Sequence, residues 1–410
     1  MTVAGRLAEI ADLGRDAERS GYSRHLFDAS DPPLRAWFGS SAEALGLLVE
    51  EDDDANLWAW WMPQPGAVRH DAIATGSHLD SVPGGGAFDG PLGVASAFEA
   101  VAQLRADGFV PVRPIVVCAF AEEEGSRFGL PCLGTRLLTG AADAASALAR
   151  ADAAGVTLEQ AWRDSGRDPE RVGPDPERLG RLAAFVELHV EQGRDLEDRG
   201  LPVSTASAII PHGRWRLTIT GEGNHAGTTT MDLRADPVVA FAGAVQAVRE
   251  VAASRMPGAR GTIGKAQIIP GGTNVIASRV IAWMDLRAFT DDDVREQYAL
   301  TLQRMRAAVQ AEGCTLDVHE ESFSARVDFD DELTARVTAA LQPEFGQVPA
   351  IPTGAGHDAG ILSAVLPTAM IFVRNPTGVS HAPGEDARDG DCEAGARALA
   401  ATLRMLAGSA

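Results

Sequence analysis

Five residues of this chain have side chains of the kind that hold a metal ion: His78, Asp89, Glu124, His189 and His381. His78 and Asp89 stand in GSHLDSVPGGGAFDG (76–90), and Glu124 in FAEEEGSRF (120–128). His189 stands in ELHVEQG (187–193), and His381 in GVSHAPGE (378–385). Imidazole plus carboxylate is the ligand set of zinc, manganese or a similar divalent ion. One catalytic zinc takes three protein ligands and keeps a position open. Five ligands suit two ions that share a bridging carboxylate and activate a water.

The neighbours of these residues sharpen the chemistry. His78 and Asp80 form an HxD pair, and strand alternation points both side chains the same way. Asp80 could then hold the second imidazole nitrogen while His78 binds metal. Alone, such a pair reads equally as a surface ion pair. Glycines 84–86 shift the balance, because they let the backbone fold back and return Asp89 to the same place. A nucleotide loop would also use glycines, but no GK[ST] follows them. Glu122, Glu123 and Glu124 are adjacent carboxylates after an apolar run, where repelling charges are costly unless a cation relieves them. Neighbouring glutamates can divide the work, one binding metal and the next taking a proton from water.

Other candidates are weaker on their own. His189 reads equally as a core histidine, whereas His381 lies in a Gly/Pro loop, where packing explains it less well. His225 (GNHAGTTTM) and His357 with Asp358 (GAGHDAG) sit among small residues that would admit a substrate, or else are structural. Arg287 (WMDLR) could grip a carboxylate with two hydrogen bonds, against the plainer reading of a surface ion pair. Asn274 (GGTNV) is a further polar candidate. No GxSxG elbow is present and no cysteine sits in a nucleophile motif, which disfavours covalent catalysis by the protein.

These residues need elements to hold them. Patterning predicts helices at 2–20 and 34–47, strands at 56–61 and 71–77, and a helix through 89–108 that opens on a Gly/Pro turn. The apolar run 114–121 reads as a buried strand that ends at Glu122. Two ligand segments thus follow strand ends, where sites of α/β sheets commonly lie. Residues 141–182, rich in Ala, Arg and Asp, read as exposed helices and a linker without chemistry, and 185–190 as a strand. Strands at 214–220, 261–269, 280–289 and 315–320 alternate with helices at 236–256 and 294–312 in a self-contained unit. Helix 330–341, strand 368–373 and helix 393–406 follow. Ligands occur before and after the middle unit. The expected architecture is therefore α/β: a catalytic metal-binding domain, residues 1–208 plus 327–410, with a mixed sheet flanked by helices. An α+β lid or dimerisation domain, residues 209–326, interrupts it.

The chain's 410 residues suit two domains. A net charge of −21 argues against nucleic acid as a partner. Cys118, Cys132, Cys314 and Cys392 form no CxxC pair, so a reducing compartment is expected. Neither a signal-like start nor a membrane-length apolar run is visible, so the expected location is cytoplasmic, without a membrane partner.

The stretches GSHLDSVPGGGAFDG, EEEGSRF, ELHVEQG, NHAGTTTM, GGTNVI, DLR, GAGHDA and SHAPGE occur in order from about 76 to 385. Together they resemble the hydantoinase/carbamoylase branch of the dinuclear-metal aminoacylase and carboxypeptidase superfamily. That branch includes allantoate amidohydrolase, N-carbamoyl-L-amino-acid hydrolase and β-ureidopropionase. The resemblance implies two divalent metal ions, zinc or manganese. His78 and His189 would bind one, Glu124 and His381 the other, and Asp89 would bridge them. It implies that Glu123 is the catalytic base and that Asp80 orients His78. His225, Asn274, Arg287 and Gln192 match substrate-binding positions, and His212 and His357 are added as candidates. It further implies a cis peptide at Asp89–Gly90, and a homodimer in which His225 reaches the partner's active site. Two departures stand out: Thr230 replaces a common proline, and His212 replaces a common glutamine that could bear on substrate choice.

The implied function is metal-dependent hydrolysis of a linear, non-peptide C–N bond. Allantoate stands first as substrate, then N-carbamoyl and N-formyl amino acids. Closure of the inserted domain would bring its substrate groups to the metals. A dimetal peptidase is disfavoured by GTNVI, DLR and EEEGSRF, and a non-catalytic binding protein by the complete ligand set with Glu123.

Overall fold

A computed structural model describes residues 1–64 and 66–409. The chain divides into two compact units, Met1–Ser207 with Asp328–Ala410, and Ala208–Val327.

The first unit is built on a mixed nine-stranded sheet. Its order is Leu48–Glu51, Leu57–Trp61, Ile115–Phe120, Ala72–His78, Leu182–Val190, Thr368–Val373, Val203–Ile209 and Val327–Asp328, with Ala350–Thr353 also paired to Val203–Ile209. Strands Ala72–His78, Ile115–Phe120 and Thr368–Val373 are buried at every residue. Both of their faces are covered, which is why they read as continuous apolar runs rather than alternations. Helices Pro91–Ala106 and Asp389–Ala407 cover the sheet through Leu92, Phe98, Val101, Leu399 and Leu403, against Ile73, Val117, Val186 and Ile371.

The four central strands, from Ile115–Phe120 to Thr368–Val373, run parallel, with His78 level with Phe120 and Phe372 level with His189. Parallel neighbours bring their carboxyl ends to one edge. That edge receives His78, His189 and the Glu122–Glu124 turn.

Two sequence expectations for this unit need correction. The helix expected over 2–20 stops after Val3–Glu9. Beyond it Gly14 takes a φ of +69°, and the buried Arg24 donates to the carbonyls of Ile10 and Leu13. Residues 141–182 are not simply exposed. Ala147, Leu158, Ala161, Trp162 and Val172 pack with Leu26, Phe128, Leu133 and Leu137 into a separate small core. The buried positions are too sparse among Arg, Asp and Ala to show as a period. The strand Val203–Ile209 and the short helix Leu133–Thr139 were not anticipated either.

The second unit has an antiparallel sheet in the order Thr315–Ser324, His212–Thr220, Arg279–Arg287, Arg260–Ile269. One face of the sheet packs on helices Pro237–Ser254 and Asp291–Ala311 through Trp215, Leu217, Ile219, Ala244, Val248, Met284 and Met305. Single-face burial produces the alternation legible in RWRLTIT. A two-stranded ribbon pairs Asn224–His225 with Val275–Ile276. No helix of the described residues is long and apolar enough to cross a membrane.

Candidate metal centre

Within the first unit, ligand atoms converge in two groups that share Asp89. His78, Asp89 and His189 form one, and Asp89, Glu124 and His381 the other, with the ligand atoms of each group within 4.8 Å of one another. Asp89 Oδ1 lies 3.6 Å from His78 Nε2 and 3.2 Å from His189 Nε2. Asp89 Oδ2 lies 3.4 Å from His381 Nε2, which is itself 3.4 Å from Glu124 Oε2. Four segments, separated by up to about three hundred positions, thus meet on one carboxylate.

The tautomers follow from the backbone. His78 Nδ1 is 3.1 Å from the carbonyl of Asp80, and His189 Nδ1 is 2.9 Å from that of Val190. A carbonyl only accepts, so each Nδ1 carries a proton, and each Nε2, the atom that faces Asp89, is the one left to bind a cation. Both Nε2 atoms and Glu124 Oε1 are buried without a hydrogen-bond partner. Burial opposes charge on the two imidazoles, but the carboxylates around them push both upward, and a divalent cation would take the place of the protons they draw in. Burial, then the charge on Asp89, pushes the Glu124 carboxyl up to about 8, and burial drives Glu123 well up against the pull of His78. The donor set fits a cation centre. A third group, Glu187, His189 and His357, fits less well. Both Glu187 oxygens are already engaged, by the Ser77 hydroxyl at 2.8 Å and the Ala359 N–H at 2.9 Å.

Carboxylates beside the converging residues hold the loops. Asp80 Oδ1 accepts the Glu123 N–H at 3.1 Å and Asp80 Oδ2 the Glu124 N–H at 3.0 Å, while Oδ1 is 3.5 Å from His78 Nδ1. Asp80 therefore does more than face an imidazole: it fixes the backbone of the glutamate turn. Glu123 Oε2 lies 3.7 Å from His78 Nε2, beside the converging ligand atoms. Glu122 turns the other way, at a left-handed φ of +54°, and accepts the N–H groups of Leu26, Arg127 and Phe128. Gln192 Nε2 donates to Asp89 Oδ2 at 3.0 Å. Buried His357 packs its ring 4.5 Å from that of His189.

The peptide expected to be cis at Asp89–Gly90 is trans; the cis bonds among the described residues are Met256–Pro257 and Ile269–Pro270. The chain reverses instead through Gly90 at a φ of +84°, where a Cβ would lie 2.4 Å from the His78 ring. Only glycine fits there.

In the second unit, His225 Nδ1 accepts the N–H groups of Gly227 and Thr228 at 3.0 and 3.2 Å. Its Nε2 therefore carries the proton, on an exposed side chain. The carbonyl of Asn274 accepts the Ala226 N–H at 3.0 Å, so Asn274 and His225 share the ribbon. Arg287 donates to Asp285 at 2.8 and 3.2 Å and stands opposite His212 in the ladder. Burial, then Arg287 and Arg214, lowers His212 to about 4. Arg287 and His212 pair at one end of the strand His212–Thr220, which spans about 26 Å, and the chain runs on from its other end to the ribbon of His225.

A profile described as peptidase family M20/M25/M40 matches residues 74–405. The chain belongs to this family. It is 36% identical over 410 residues to an N-carbamoyl-L-amino acid amidohydrolase of Geobacillus stearothermophilus, covering 98% of this chain and 97% of that one. It is 31% identical over 399 residues to an allantoate amidohydrolase of Escherichia coli strain K12, covering 97% and 96%. Among M20 structures, a hydantoinase/carbamoylase family amidase from Burkholderia ambifaria superposes with a TM-score of 0.87 at 30% identity, covering 100% and 97%. These likenesses assign the chain to the hydantoinase/carbamoylase branch of the M20 family.

Sequence reasoning left three residues of this M20 site without a role. Ser380 donates its hydroxyl to Asp89 Oδ2 at 3.2 Å, and Glu187 and Glu385 are buried beside the ligands. The signal available was a carboxylate close to each ligand histidine: Glu187 precedes His189 by two residues, and Glu385 follows His381 by four.

Proposed function

We propose that this chain is a metal-dependent amidohydrolase that cleaves the linear, non-peptide C–N bond of a ureido or carbamoyl acid. Allantoate is the first candidate substrate and N-carbamoyl-L-amino acids the second. The observation that carries the reading is the double cluster on Asp89 with Glu123 beside it. His78, Asp89 and His189 would hold one divalent ion, and Asp89, Glu124 and His381 a second, zinc or manganese. Bound there, the ions would acidify a water and polarise the substrate carbonyl.

The chain's own residues do the rest. Glu123 takes a proton from the attacking water and later gives it to the leaving nitrogen, so the C–N bond breaks with its proton balance closed. The Nε2–H of His225 donates to the oxygen that gains charge at the attacked carbon. Arg287 grips the substrate carboxylate, exchanging Asp285 for it, and Asn274 adds a polar contact. Gln192 and His357 belong to the same assignment on the metal side, and His212 beside Arg287 bears on substrate choice. The two ends of the strand His212–Thr220 lie too far apart to touch one small substrate. That separation supports a homodimer in which His225 serves the partner's site.

The test is a panel of allantoate, N-carbamoyl-L-amino acids, N-formyl amino acids and dipeptides, with Zn²⁺ or Mn²⁺ added and ammonia or amine release measured. Turnover of a ureido or carbamoyl acid well above the dipeptides is expected. Turnover of dipeptides alone would overturn the reading.

A further inference from the structure

The loop that carries His381 is tied to the loop that carries Asp89 by a residue outside the ligand set. Glu385 Oε1 accepts two successive backbone N–H groups, Phe88 and Asp89, both at 2.9 Å. Glu385 is buried, and its second oxygen has no hydrogen-bond partner. It belongs to none of the groups of converging ligand atoms. The chain makes room for it at Gly86, where a Cβ would lie 2.2 Å from Glu385 Oε1. Asp80 accepts from Glu123 and Glu124 in the same way. Two loops at this centre are thus each held by a carboxylate that takes a pair of adjacent N–H groups.

We propose that Glu385 is a positioning residue: it fixes the Phe88–Asp89 backbone so that the Asp89 carboxylate stands between the two ligand clusters. The proposal rests on the cation-centre reading above. Asp89 faces His78 and His189 with one oxygen and His381 with the other. A carboxylate shared in that way has little tolerance for rotation, so its backbone must be anchored. The two N–H groups beside it have no helix or strand to pair with. Without Glu385 they would seek water, and the loop would move. Partners that orient metal ligands are worth about 10- to 100-fold in metal affinity.

The experiment measures Zn²⁺ affinity by competition with a chromophoric chelator, and hydrogen exchange at the Phe88 and Asp89 amides in chelated protein. Glu385→Ala is expected to weaken Zn²⁺ by about tenfold or more and to speed exchange at both amides. Gly86→Ala, which pushes the carboxylate away without removing it, should do the same. Glu385→Gln keeps an oxygen for both N–H groups and should stay within about threefold of the parent. Asp330→Ala removes a helix cap, the acceptor for the Leu333 N–H, and controls for lost stability alone. Parent-like affinity in both Glu385→Ala and Gly86→Ala overturns the proposal. So does a loss in Asp330→Ala equal to theirs. A loss in Glu385→Gln as large as in Glu385→Ala also overturns it, because the residue would then act as a ligand. If neither alanine variant folds, Glu385→Gln decides between positioning and ligation. If the parent itself binds no Zn²⁺, the cation-centre reading fails, and the exchange rates still decide whether Glu385 anchors the loop.

Discussion

Glu122, Glu123 and Glu124 are identical in type and differ by one position each, yet they should fail in three ways. Glu123→Gln is expected to retain bound metal, measured by equilibrium dialysis, and to lose about 10²-fold or more in kcat, because the proton acceptor is gone. Glu124→Gln should instead lower metal affinity, since its carboxylate faces His381. Glu122→Gln should leave turnover near normal and lower stability, because its oxygens serve the N–H groups of Leu26, Arg127 and Phe128. Normal turnover in Glu123→Gln with none in Glu122→Gln would move the base one residue earlier. The three identical side chains diverge because the left-handed φ at Glu122 sends it away from its neighbours.

At the scale of elements, two features carry predictions. The small core beneath the glutamate turn is centred on Trp162, fully buried and edge-on to Phe27. Trp162→Ala should cost about 3–5 kcal/mol by urea denaturation. A cost near zero would mean that residues 141–182 are the loose linker their composition suggests. The second feature is the pairing of His212 with Arg287 at the ends of two inner strands. The folded-state value of His212, about 4, lies below its usual 6.5. On acidification the unfolded chain therefore takes up the proton first, and stability present above pH 6.5 is lost as pH falls toward 4. In chelator-treated protein, His212→Gln should flatten the decline in urea midpoint between pH 6.5 and 4.5. An NMR titration of His212 with a midpoint near 6.5 would contradict the assignment.

For the whole molecule, the question is whether one subunit is enough. Arg287 pairs with the first residue of the strand His212–Thr220 and His225 follows its last by five residues, so a dimer sharing its histidines is expected. Subunits carrying His225→Ala, mixed with subunits carrying Glu123→Gln, should regain activity that neither has alone. No recovery, with subunit exchange confirmed by mass spectrometry, would mean that each subunit uses its own histidine.

Candidate ligands and the order of most elements could be read from residue types and patterning. His78, Asp89, Glu124, His189 and His381 could be singled out as candidate ligands because ligand types are few and sit in short motifs, and the fold brings their ligand atoms together. The parallel strands were legible because strands buried on both faces are continuous apolar runs. The interruption by a second unit was legible as a change from such runs to alternation. What anchors the converging loops could not be read that way. Glu385 stands 296 positions from Asp89, and no local pattern pairs them. The trans bond at Asp89–Gly90, the turning away of Glu122, the narrow core around Trp162 and the protonated Nε2 of His225 were decided in the tertiary structure too. These depend on local backbone conformation and on which distant groups come within contact, and sequence spacing does not encode that.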